Sequence, residues 1–151
     1  MVLTIGDKAP DFEVNNQNSE KTKLSDFKGK KVILYFYPKD NTPGCTAESC
    51  NLRDNYQELK AAGYEILGVS PDSEKSHQNF INKYKLPFTL LVDTEKDILQ
   101  KYDVWKEKSM YGRKYMGTVR TTFIIDEQGR IERIIEKVNT KDHTNQILNP
   151  E

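Results

Sequence analysis

At 151 residues the chain is long enough for one domain with a sizeable core. Its 23 basic and 23 acidic residues cancel, and no basic stripe interleaved with aromatics runs through it, which excludes the footprint of a nucleic-acid binder. The longest apolar run, Val32 to Tyr37, is too short to cross a bilayer, so no membrane partner is expected.

The opening Met1-Val2-Leu3-Thr4-Ile5-Gly6-Asp7 lacks the charged and apolar regions of a secretory leader, and a cytoplasmic protein is the expectation. In a reducing compartment two cysteines read as catalytic, redox-sensing or metal-binding rather than as a staple. Metal is the weakest of these readings, because His77 and His143 are far from the cysteines and show no finger-like spacing. No repeat, low-complexity segment or linker divides the sequence, so residues 1–151 read as a single domain.

In chain order, Phe12–Val14 and Leu24–Phe27 are short apolar patches, and a hairpin turning at Asn15–Asn18 fits between them. Lys31 to Tyr37 is β-branched and aromatic almost throughout, the pattern of a central strand buried on both faces, and Pro38 ends it. A helix is predicted from Pro43 to Ala62, stopped by Gly63, with Leu52, Tyr56 and Leu59 as its buried stripe. Tyr64–Ser70 reads as a strand, Ser73–Tyr84 as a helix capped by Ser73, Thr89–Val92 as a short strand and Glu95–Tyr102 as a short helix.

Val104 to Gly117 has no clean period and reads as a long loop, its Lys106, Lys108, Arg113 and Lys114 solvated and its Trp105, Met110, Tyr111 and Tyr115 packed. Val119–Ile125 and Ile131–Val138 read as strands joined at Asp126–Gly129, and Asn139–Leu148 as a closing helix. Alternating strands and helices that finish in a hairpin imply an α/β fold. The expected form is thioredoxin-like, with a mixed central sheet flanked by helices, an extra N-terminal β-hairpin and an inserted helical unit. His77 reads as a solvated residue on a polar helix, and His143 has no evident partner.

The chemistry concentrates in Pro38-Lys-Asp-Asn-Thr42-Pro43-Gly44-Cys45-Thr-Ala-Glu48-Ser-Cys50. Thr42 suits the N-cap and Pro43 the first helical position, which puts Cys45 at the third. Unpaired amides and the positive end of the helix dipole face that position and stabilise negative charge there. Cys45 is in line with Leu52, seven residues on, hence toward the packed side. Packing alone would also accommodate a buried cysteine, but it does not explain the Thr-Pro-Gly lead-in or a second cysteine nearby. Likewise Thr42 could be only a cap, Pro38 only a strand terminator, Arg120 a surface charge, and Glu48 a partner of the helix dipole.

Pro38-x-x-x-Thr42-x-x-Cys45 resembles the peroxiredoxin active-site motif, and Cys50 five residues on is similar to the bacterioferritin-comigratory-protein or peroxiredoxin Q branch. Gly6-x-x-Ala9-Pro10-Asp11-Phe12, Leu24–Gly29 and Arg120–Asp126 extend the likeness over nearly the whole chain. The resemblance implies a cofactor-free thiol peroxidase with Cys45 as the peroxidatic cysteine and Cys50 as the resolving cysteine of an intramolecular disulfide. It implies Thr42 and Arg120 at the peroxide, Pro38 shaping the pocket and Glu48 orienting the arginine. It also implies hydroperoxides as substrates and a thioredoxin-like reductant, and an in-chain resolving cysteine leaves a monomer sufficient. Two other readings stay open at this level: a thiol–disulfide exchanger, against which the missing Cys-x-x-Cys counts, and a redox-regulated binding or chaperone module.

Overall fold

A computed structural model describes residues 3–150. Met1 and Val2, which begin the segment read above against a secretory leader, and Glu151 lie outside the described residues. The elements in order are β1 (Glu13–Asn15), β2 (Lys21–Lys23), a 3₁₀ turn (Leu24–Phe27), β3 (Lys31–Phe36), α1 (Pro43–Asp54), α2 (Tyr56–Ala61), β4 (Tyr64–Ser70) and α3 (Glu74–Tyr84). They continue with β5 (Thr89–Val92), α4 (Asp97–Lys101), β6 (Trp105–Met110), β7 (Arg113–Thr118), β8 (Thr121–Ile125), β9 (Ile131–Ile135) and α5 (His143–Leu148).

Five strands form the central sheet in the order β5-β4-β3-β8-β9. β3 pairs parallel with β4 and antiparallel with β8, which makes the sheet mixed. Alternation along β3 splits its side chains between two cores. Val32, Leu34 and Phe36 pack with Phe123, Ile125 and the α4 residues Ile98 and Leu99. Ile33, Tyr35 and Tyr37 pack with Cys45, Leu52, Leu59, Phe80 and Ile147 from α1, α2, α3 and α5. Helices on both faces explain why β3 is apolar without interruption. The N-terminal hairpin is present as β1–β2.

The long helix expected over Pro43–Ala62 breaks at Asn55, whose side-chain amide donates to the Asn51 carbonyl at 2.8 Å. Asparagine there competes with the backbone ladder and turns the chain into α2. The segment expected as a loop over Val104–Gly117 is instead the antiparallel hairpin β6–β7. Its two-residue turn, Tyr111-Gly112, has φ of 52° and 77°, the left-handed pair that a tight hairpin turn requires. Met110, Tyr111, Tyr115 and Met116 on it are exposed rather than packed, while Trp105 is partly buried. The closing helix starts later than expected, at His143.

Gly68 in β4 lies where a Cβ would sit 2.6 Å from Leu90 Cδ2 and 2.9 Å from the Tyr35 ring. We expect Gly68→Ala to cost about 1–3 kcal/mol through overpacking, read as a lower urea midpoint. An unshifted midpoint would show that this face can relax.

Candidate functional site

The end of β3, the start of β8 and the first turn of α1 converge. Phe36 pairs with Thr121 in the antiparallel β3–β8 ladder, so Arg120, one residue earlier, lies beside the segment Tyr37–Thr42. α1 starts at Pro43, which places Cys45 at its third position with 1% of its surface exposed, in contact with the core of Tyr35, Tyr37 and Leu52.

Arg120 joins two groups from consecutive turns of α1. Its Nη2 donates to Cys45 Sγ at 3.3 Å and its Nη1 to Glu48 Oε1 at 2.7 Å. Glu48 is wholly buried, whereas the Arg120 side chain keeps 23% of its surface exposed. Burial pushes Glu48 up to about 7 against the pull of Arg120. Burial opposes the charge on Arg120, but Glu48 and Cys45 together outweigh it and push the guanidinium up. Gly44 makes room for this geometry, since a Cβ there would be 3.2 Å from Arg120 Nη2.

Thr42 occupies the N-cap position without forming a side-chain cap. Its hydroxyl instead donates to the Lys39 carbonyl at 2.8 Å, so the turn before the helix takes the proton that a free hydroxyl would offer elsewhere. Both lone pairs of the oxygen stay available as acceptors. Pro38 is half-buried just beyond β3, and Cys50 is half-buried further along α1. Both cysteines are free thiols, and burial pushes the Cys50 thiol up.

Both histidines differ from expectation. His77 is buried, its Nδ1 bonded to Asp40 Oδ2 at 2.7 Å and its Nε2 to the Leu91 carbonyl at 2.8 Å. Asp40 also accepts from Tyr37 Oη at 2.6 Å and Ser76 Oγ at 2.8 Å, while its amide donates to Asp72. Asp40, Asp72 and His77 offer three potential metal ligands, but Asp40 and His77 are already engaged and tie the Pro38–Thr42 turn to α3. The signal was available: His77 stands three residues before Phe80 and seven before Tyr84, on the apolar stripe of α3.

His143 is buried too, bonded through Nε2 to Thr122 Oγ1 and through Nδ1 to Gln146 Oε1, both at 2.8 Å. Its place four residues before the buried Ile147 marks the inner face of α5. Lys108, read as a solvated loop residue, is half-buried on β6. Burial and the charge of Arg120 lower its ammonium while Cys45 opposes that.

The sequence model of the AhpC/TSA family matches residues 5–134. The chain is 49% identical over 148 residues to the peroxiredoxin Bcp of Bacillus subtilis, covering 98% of this chain and 94% of that protein. It is 44% identical over 147 residues to the Escherichia coli K12 peroxiredoxin Bcp, with 97% and 94% covered. A solved Xanthomonas campestris peroxiredoxin Q superposes with a TM-score of 0.88 at 37% identity, covering 97% of this chain and 93% of that one. A cysteine-to-serine mutant of Xylella fastidiosa PrxQ gives 0.92 at 33% identity, with 99% and 95% covered.

Proposed function

The chain belongs to the AhpC/TSA family, and on that footing we propose how the Cys45 site performs the thiol peroxidase reaction. The observation that carries the reading is the Arg120 guanidinium, 3.3 Å from Cys45 Sγ and fixed by Glu48 at 2.7 Å. The Cys45 thiolate attacks one peroxide oxygen. An S–O bond forms as the O–O bond breaks, and the leaving oxygen takes a proton to become water or an alcohol. Negative charge moves from sulfur to the leaving oxygen, and a fixed guanidinium with the free amides of the first helical turn stabilises it in transit. Thr42 accepts from the hydroperoxide O–H through the lone pairs that its bond to Lys39 leaves open. Pro38 closes the pocket against water, and Glu48 holds Arg120 in register.

Cys45 then carries a sulfenic acid. Attack by the Cys50 sulfur expels water and leaves a Cys45–Cys50 disulfide, which a thioredoxin-like dithiol reduces by exchange. The pair lies within one chain, so a single subunit suffices for the disulfide, and the reading is completed by a single-domain monomer in the cytoplasm. No helix of the described residues is long and apolar enough to span a membrane.

The second half-reaction conflicts with the fold as it stands. In a regular helix, residues five apart have Cα atoms roughly 8.6 Å from each other, their side chains turned about 140° apart. A disulfide tolerates at most about 7 Å. Cys45 and Cys50 both lie within the unbroken α1, so the first turns must open before the bond forms. Opening also breaks the bond from Arg120 to Cys45 and releases the buried Glu48.

Two measurements test this function. Reduced Cys50→Ser protein treated with hydrogen peroxide and trapped with a sulfenic-acid reagent is expected to carry stoichiometric label on Cys45; an unmodified thiol would leave only the exchanger or binding-module readings. In the native protein, oxidation is expected to raise amide exchange across residues 42–53 while β3 stays protected. A Cys45–Cys50 disulfide with unchanged exchange there would contradict the geometric argument.

A further inference from the structure

The hairpin β6–β7 carries a surface that the chemistry at Cys45 leaves unused. Met110, Tyr111, Tyr115 and Met116 are four of the five large hydrophobic side chains exposed among the described residues, and they fall within seven consecutive positions. From Lys106 to Met116 every residue except Lys108 is exposed, so both faces of the ribbon and its tip meet solvent. A two-stranded ribbon of this kind is marginal in water by itself. Apolar groups clustered on an otherwise polar surface mark a place where something docks.

The strand register sorts these groups. Lys108 is opposite Tyr115 and Met110 is opposite Arg113, and alternation puts all four on one side of the ribbon. That side presents two apolar groups interleaved with two cations. The ion pairs of the segment join Lys106 to Asp103 and Lys114 to Glu107, which leaves Lys108 and Arg113 without an acidic partner among the described residues. Residues 105–118 hold four cations against one carboxylate, in a chain whose charges cancel overall.

The ribbon grows directly from the site. Its base is closed by the Val119 amide donating to the Val104 carbonyl at 2.7 Å, and Arg120 is the next residue. Arg120 and Cys45 both act electrostatically on the Lys108 ammonium. With six residues in each strand, the tip stands about 20 Å from that base. A small hydroperoxide at Cys45 cannot span this length, whereas a protein docked over the sulfur touches both. A second copy placed face to face would set cation against cation, and two unpaired cations are too few to track a phosphate backbone. An acidic protein that must reach the Cys45–Cys50 disulfide meets all three constraints.

We propose that the Lys108, Met110, Arg113 and Tyr115 side of the β6–β7 hairpin is the docking surface for the protein dithiol that reduces the Cys45–Cys50 disulfide, a thioredoxin-like partner with acidic side chains around an apolar contact face. The exchange balances without further reactants. One thiolate of the partner attacks a sulfur of the disulfide and releases the other sulfur as a thiolate. The partner's second thiol, on losing its proton, attacks the mixed disulfide, so two electrons pass to Cys45 and Cys50 and the partner leaves as a disulfide. The hairpin makes none of these bonds. It holds the partner, with the apolar pair covered at the contact and the cations steering an acidic surface toward it. The assignment rests on the disulfide mechanism proposed above.

The test compares the unaltered protein with a variant carrying Arg113→Glu and Tyr115→Ser, two exposed positions outside the peroxide site. Turnover of hydrogen peroxide is followed with a bacterial thioredoxin kept reduced by its reductase, and separately with dithiothreitol, a dithiol too small to need a docking surface. We expect kcat/KM for thioredoxin to fall about tenfold in the variant, and its decline with added salt to flatten. The kcat/KM for hydrogen peroxide and the rate supported by dithiothreitol should stay unchanged. Equal thioredoxin kinetics in the two proteins overturn the proposal, as does an equal loss with dithiothreitol. A loss confined to oxidation by cumene hydroperoxide overturns it by assigning the surface to the peroxide. A dimer that the variant dissociates, with thioredoxin kinetics unchanged, overturns it by assigning the surface to a second copy. Failure of Cys45 to form a sulfenic acid in the Cys50→Ser protein overturns the mechanism and the proposal with it, whereas equal thioredoxin kinetics remove the docking surface alone.

Discussion

One guanidinium serving two partners on consecutive turns of a helix is the constraint on which the rest of this structure depends. Arg120 reaches Cys45 with one nitrogen and Glu48 with the other, and a planar fork can do this without losing its orientation. The placement follows from the sheet. The β3–β8 pairing brings Arg120 to the end of β3, and the Pro43 start of α1 sets Cys45 opposite it. A Cβ at Gly44 would crowd the guanidinium, 3.2 Å from Nη2, so glycine there leaves Arg120 its place. A slip in the β3–β8 register would separate the arginine from the sulfur even though every side chain was retained.

Buried braces hold the site from two sides. Asp40 and His77 tie the turn before α1 to α3 and β5. On the other side Asn51 is strapped to α5: its side chain donates to the Lys141 carbonyl at 3.0 Å and accepts from the Thr144 amide at 2.8 Å. These bonds rigidify the reduced state, which suits fixed electrostatics at the sulfur. They also oppose the opening of α1 that a Cys45–Cys50 bond requires. Glu48 sits where the two demands meet, since its burial is tolerable only while α1 is folded around Arg120.

Much of this was legible in the sequence, and the reasons are local. The β-branched and aromatic run of β3, the Thr-Pro-Gly entry to α1 and the spacing of Cys45 from Leu52 are short-range signals, and the structure follows them. What escaped was set by contacts distant in sequence or by backbone chemistry that the pattern hid. Tyr111-Gly112 makes a tight turn without the usual asparagine, and the strands on either side of it are mostly exposed, so no apolar alternation marked them. His77 and His143 looked solvated or unpartnered because their partners, Asp40 and Thr122, are separated from them by long stretches of chain. Thr42 has the identity of a cap, yet its hydroxyl serves the preceding turn. Helical spacing to Phe80 and Ile147 was the signal that would have placed both histidines inside.

The most direct test of the account is Arg120→Lys in the Cys50→Ser protein, followed by stopped-flow oxidation of Cys45 with hydrogen peroxide. Lysine keeps the positive charge but carries it on one compact ammonium, without the planar fork that aims two separate nitrogens at Glu48 and the sulfur in a fixed geometry. The account predicts that oxidation slows by about 100-fold or more in protein that is still folded at the assay temperature, as removal of an oriented oxyanion-stabilising donor does elsewhere. A rate near that of the parent would contradict it, because charge alone, rather than the forked contact fixed by Glu48, would then suffice.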